Sequence, residues 1–209
     1  MSILWWLAAL AALVVLRPVL LWVIAHPLGG WIGRKALAKQ PESIHLTRRN
    51  QLTWTAPEDA RALVKPLLDD GFQDAGTYAV EELTGVVVQL LVHEGDGLFA
   101  CIYEHPKAGT WMELVTRYQD GRSCSFSTSQ PKGLDARPGH PVFHMPGTPP
   151  NELLASVLAE RPKGARAIVT VATAQKRFED AWAEGIAWRK THGIKTREVA
   201  RVAVRRRAA

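Results

Sequence analysis

Apolar side chains run almost without a break from Ile3 to Ala25, where Arg17 is the one strongly polar residue. Such a run of 23 residues, at 1.5 Å rise per residue, is long enough to cross a hydrocarbon core of about 30 Å as a helix. Thirteen of the side chains are Leu, Ile or Val, each worth about 0.3 to 0.6 kcal/mol of insertion free energy against a cost of about 2.5 to 3.5 for a central Arg. Arg17 lies past the middle, so its stem can snorkel toward the interface that Trp22, His26 and Trp31 also suit, while Trp5 and Trp6 suit the opposite one. Pro18 is expected to kink the helix or divide it in two. Met1-Ser2 offers no basic n-region, which disfavours a cleaved signal peptide. Residues 1–26 therefore read as a transmembrane anchor, and residues 27–50 as a basic juxtamembrane connector.

Beyond the connector the apolar residues become periodic. Leu63, Val64, Leu67 and Leu68 form a helical stripe, with Thr55 and Glu58 at capping-box spacing before it and Pro66 expected to kink or divide the helix, which ends near Gly71. After Phe72 the period falls to two. Strands are expected at Tyr78 to Leu83, Val86 to Glu94, Leu98 to His105, Thr110 to Gln119 and Ser123 to Ser129, with a sixth over Arg166 to Val171. Glu94-Gly95-Asp96-Gly97, His105-Pro106-Lys107-Ala108-Gly109 and Asp120-Gly121 are tight links that force antiparallel neighbours. Ser123, Ser125, Ser127 and Ser129 share one face of the last hairpin strand, expected to be wet, while Cys124, Phe126 and Thr128 share the covered one. Val86, Val88, Leu90 and Val92 are placed together against the core.

Residues Pro131 to Pro150 contain six prolines and three glycines, a composition that excludes a regular element and predicts a long surface loop. Thr148 then reads as the cap of a helix with Pro149 first and Leu153, Leu154, Val157 and Leu158 buried. A last amphipathic helix is expected over Thr173 to His192, with Phe178, Ala181, Trp182 and Ile186 on one side and Lys176, Asp180 and Glu184 on the other. The fold class is α+β: a single N-terminal transmembrane helix, then one domain (residues 51–193) with a mainly antiparallel meander sheet of five or six strands packed by helices on one face. Residues 194–209 form a basic tail, either frayed helix or disordered.

Charge sharpens this picture. Residues 1–160 hold 13 basic and 16 acidic side chains, a balance of −3, whereas residues 161–209 hold 13 basic and 4 acidic, a balance of +9. Arg34, Lys35, Lys39, Arg48 and Arg49 follow the apolar run, and the positive-inside bias places that flank, and the domain after it, in the cytoplasm. Lys176, Arg177, Arg189, Lys190, Arg205, Arg206 and Arg207 are then candidates for contact with anionic lipid; nucleic acid is disfavoured. Two cysteines make no disulfide framework: in a meander Cys101 and Cys124 sit two strand spacings apart, about 9.5 Å, beyond the roughly 7 Å that a disulfide spans.

The chemistry is sparse. Arg137, His140 and His144 in the proline-rich loop are the candidate ligand-binding residues, with Asp135 near them. His-x-x-x-His binds metal from one helix face, and Pro138, Pro141 and Pro146 oppose a helix, so no metal and no cofactor is expected. His93 and His105 have no spacing that would recruit them. Glu104, Glu113 and Asp120 are the available carboxylates, read as charges on an exposed sheet face. No Gly-x-Ser-x-Gly elbow, dinucleotide fingerprint or phosphate loop occurs. These features favour a membrane-anchored, non-catalytic interaction or accessory domain, with lipid and a protein as partners. The alternative is an enzyme or small-ligand receptor in which Arg137 and His140 contact an anionic group.

Overall fold

The computed structural model describes residues 30–49 and 54–208. The apolar run Ile3 to Ala25 lies outside them; among the described residues no helix is long and apolar enough to cross a membrane. The described chain gathers into two compact units. One comprises Pro41–Pro131 and Ala136–Trp188; the other comprises residues 30–40, Lys132–Asp135 and the chain from Arg189 onward.

The larger unit is built on a seven-stranded sheet in strict sequence order. Its strands are β1 (Leu46–Arg48), β2 (Gln73–Val80), β3 (Val87–His93), β4 (Leu98–His105), β5 (Gly109–Arg117), β6 (Ser123–Ser127) and β7 (Val142–His144). Neighbours from β1 to β6 are antiparallel, as the short links dictate from β2 to β6, and β7 runs parallel to β6. Two strands exceed the expected set. The three residues of β1 are too few to show a period, and β7 lies inside the loop that its prolines had marked as irregular. Arg166 to Val171 does not form a strand; Arg166 makes one isolated bridge to Tyr118. The β2 strand begins earlier than expected, at Gln73, and carries a bulge between Asp74 and Gly76.

Both faces of the sheet are buried, which corrects the expectation of helices on one face only. The first face carries Leu91, Ala100, Ile102, Met112, Leu114, Cys124 and Phe126. It packs under α2 (Pro57–Asp69) through Val64 and Leu67 and under α3 (Pro150–Glu160) through Leu153 and Val157. The second face carries Val86, Val88, Leu90, Val92, Phe99 and Cys101, covered by Ala174, Phe178 and Trp182 of α4 (Ala174–His192). The reason is visible in β3 and β4: Val-Val-Gln-Leu-Leu-Val and Leu-Phe-Ala-Cys-Ile-Tyr are nearly continuous apolar runs, the mark of strands covered on both sides. Cys101 and Cys124 are free, buried and on opposite faces.

Two helix starts differ from expectation. No side chain of its own caps α2: Ala56 is the capping position, and the buried carboxylate of Glu104 accepts the backbone N–H groups of Thr55 and Ala56, each at 2.8 Å. Thr55 and Glu58 therefore form no capping box. At α3 the capping position is Pro149 and the helix begins at Pro150, with no bond from Thr148. Pro66 does not divide α2, since it falls in the last turn, where only one intrahelical bond is forfeited.

In the smaller unit the described part of α1 covers residues 30–38 and the basic tail is helical, α5 (Thr196–Ala208). Glu198, 1% exposed, organises its start. One carboxylate oxygen accepts the Lys195 N–H (2.8 Å), a capping-box bond across three residues, and the other accepts the Asp135 N–H (2.8 Å) and Arg189 Nη1 (2.9 Å). Asp135 in turn pairs with Arg197 and Arg201. A Cβ at Gly33 would stand 2.9 Å from Ile194 Cβ, so only glycine fits there.

Candidate functional site

The polar residues of the larger unit collect on the second sheet face, where β5, β6 and β7 extend. Register makes the arrangement. Cys101, Glu113, Ser127 and His144 lie directly opposite one another across four successive strands. Ser127 Oγ donates toward Glu113 Oε1 at 3.3 Å and lies 2.8 Å from Ser129 Oγ. His144 Nδ1 donates to the Ser129 carbonyl at 2.9 Å and lies 3.5 Å from Ser129 Oγ. The serine row is thus half-buried, and Ser127 fully buried, rather than wet.

This row does not have the connectivity of a nucleophilic triad. Such a triad needs the hydroxyl on the imidazole and the imidazole on the carboxylate; here the carboxylate meets the hydroxyl and the imidazole meets a backbone carbonyl. The Cys101 thiol is a poor nucleophile as well, because burial, reinforced by Glu113, pushes its pKa far up. Burial and the neighbouring Cys101 and Glu113 also raise the Tyr103 hydroxyl well above its ordinary value. The Tyr103 ring is stacked on Trp111, centroids 4.8 Å apart, and tilted against Phe178 of α4.

At the next end of the same face lies a charged group. Arg117 closes β5, and the Asp120-Gly121 turn sets it opposite Ser123. Backbone bonds from Ser123 N to Gly139 O and from Ser125 N to Pro141 O tie the proline-rich loop to the edge of β6. That loop delivers His140, whose Nδ1 lies 2.8 Å from Ser123 Oγ, and Arg137, whose Nη1 lies 3.3 Å from Glu184 Oε2. Arg117 Nη2 approaches the same Glu184 oxygen at 3.9 Å. Burial holds His140 below its ordinary pKa, Arg137 and Arg117 push the same way, and Glu184 opposes them.

Of the expected ligand residues, Arg137 and His140 come together, while His144 stands apart with Ser129. Arg117, Ser123 and Glu184 were missed, although strand alternation already placed Arg117 on the face of Glu113, and the tight turn fixed Ser123 opposite it. Glu104 and Asp120 belong elsewhere: the first caps α2 from the other face, the second pairs with Arg122 in the turn. His93 and His105 accept bonds from their own turns, from Asp96 N and Lys107 N. Among the described residues one group of possible metal donors gathers, the exposed His45, Glu81 and Glu82; there His45 already bonds Glu82 at 2.5 Å.

The basic residues assigned to lipid have separate fates. Lys176 pairs with Asp180, Arg177 and Lys190 are exposed, and Arg189 is held on Glu198. Arg205 is exposed, and the side chains of Arg206 and Arg207 lie outside the described residues. On α1, Trp31 (52% exposed) and Ile32 (47%) line an open groove with Lys35, Ala36 and Lys39, and Lys35 Nζ sits 4.8 Å over the Trp31 ring. No family model, curated protein or solved structure matches the chain.

Proposed function

We propose that the protein is a membrane-tethered, non-catalytic interaction module, anchored through Ile3 to Ala25 with its sheet domain in the cytoplasm. The observation that carries this reading is the surface of α1. Directly after the apolar run, exposed Trp31 and Ile32 stand beside Lys35 and Lys39, the pairing of an amphipathic aromatic with cations that suits the headgroup layer. A large exposed apolar pair is costly in water and becomes favourable when it meets lipid. The non-catalytic part rests on the row from Cys101 to His144, in which the imidazole bonds a backbone carbonyl instead of a carboxylate and burial disfavours the thiolate.

The test is fractionation of cells carrying the full chain with a C-terminal reporter. The chain is expected to stay in the pellet through alkaline carbonate, with a reporter that is active only in the cytoplasm switched on. Release into the supernatant would remove the tether, and a signal from an external reporter would reverse the orientation.

A further inference from the structure

The geometry around Glu184 is that of an occupied but poorly fitted anion site. Two guanidinium groups from independent elements, Arg117 at the end of β5 and Arg137 in the loop, converge on one oxygen, Glu184 Oε2, at 3.9 and 3.3 Å. Neither contact reaches the roughly 2.7–2.9 Å of a good charge-assisted bond, and neither guanidinium takes the carboxylate in a fork. Arg117 is only 16% exposed in its side chain, so its charge is costly without an anion, whereas Glu184 is 47% exposed and has water within reach. Beside them Ser123 Oγ and the His140 imidazole form a neutral hydrogen-bonded pair, and Ser125 is half-buried on the same face of β6.

We propose that Arg117, Arg137, Ser123 and His140 form a binding site for the carboxylate of a small organic acid, and that Glu184 is its internal occupant, displaced when the ligand arrives. Two permanent cations face the single carboxylate of Glu184, so a small dicarboxylate that takes its place can match both charges. Carboxylate chemistry is favoured over phosphate because the seated group is itself a carboxylate and the imidazole in this field is neutral, leaving two cations rather than three. Displacement costs little, since Glu184 returns to water from two long contacts, and the incoming group can take the forked geometry that a helix-borne side chain does not reach. This site stands apart from the membrane reading: its outcomes are read at Ser123 and His140 and do not depend on whether Ile3 to Ala25 spans a bilayer.

The full chain, held in nanodiscs, is titrated with succinate and, separately, with inorganic phosphate, and the amide signals of Ser123 and His140 are followed by NMR. Saturable succinate shifts are expected, and Glu184→Gln should tighten binding about tenfold, the factor for a site whose competent state is about a tenth populated in the wild type. Arg137→Gln, in the loop, should abolish the shifts while the rest of the spectrum keeps its dispersion. Absence of succinate binding in both wild type and Glu184→Gln would overturn the site. Binding that Glu184→Gln leaves unchanged would overturn the role of Glu184 as competitor, and equal or tighter binding of phosphate would overturn the carboxylate assignment.

Discussion

His140 lies in a field that disfavours its protonated form: it is partly buried, and Arg137 and Arg117 face it more strongly than Glu184 compensates. Its folded pKa is below the ordinary 6.5, so the unfolded chain takes up a proton that the folded chain refuses. Above pH 6.5 neither state is protonated and the residue adds no slope; as pH falls through 6.5 toward the folded value, stability is lost. His140→Asn keeps a polar group near Ser123 and removes the titration, and should flatten the stability curve in this window. Urea midpoints measured between about pH 7.5 and 5 decide it; parallel curves for wild type and variant would mean that the imidazole is not held neutral. At this scale the sequence named Arg137 and His140 because they share a short loop. Glu184 is 47 residues from Arg137 along the chain, and nothing in local spacing brings them together.

Elements with strong local signals were legible. The Gly- and Asp-bearing links fixed β3 to β6 and their antiparallel order, and the amphipathic stripe of Phe178 and Trp182 placed α4 against a sheet. The caps were not, because a helix start can be satisfied from a distant strand as well as from its own residues. Glu104, 5% exposed on β4, supplies both bonds at the head of α2, where the macrodipole also favours a negative charge. Glu104→Ala leaves two backbone donors unpaired in a partly buried place. With hydrogen bonds to a charged group worth about 1.5–3 kcal/mol each, and water able to satisfy part of the loss, a destabilisation of about 2–3 kcal/mol is expected. Chemical denaturation measures it, and Glu104→Gln, which keeps an acceptor for one donor, should recover part. A change under about 0.5 kcal/mol, the scale of an ordinary surface substitution, would show that the helix start does not depend on this carboxylate.

Across the whole molecule the charge asymmetry, −3 before residue 161 and +9 after it, takes a different meaning once pairing is counted. Arg189 is committed to Glu198, and Arg197 and Arg201 to Asp135, so part of the basic excess holds the start of α5 rather than facing a partner. Under the proposed membrane tether, Arg205, Arg206 and Arg207 are the tail residues whose contact with lipid is tested, each expected to contribute about 1 kcal/mol beside an anionic leaflet. Val204, 67% exposed, offers a reporter position next to them, and Cys101 and Cys124 are buried and will not compete for a thiol label. With a fluorophore on Val204→Cys in vesicles containing anionic lipid, a headgroup quencher should dim it strongly at about 0.05 M salt and weakly at about 1 M, where the screening length shrinks to about 3 Å. Replacing the three arginines with glutamine should give the weak value at both salts. Quenching that ignores both salt and substitution would mean that the anchor alone sets the distance, and the tail would have no electrostatic part in holding the domain to the membrane.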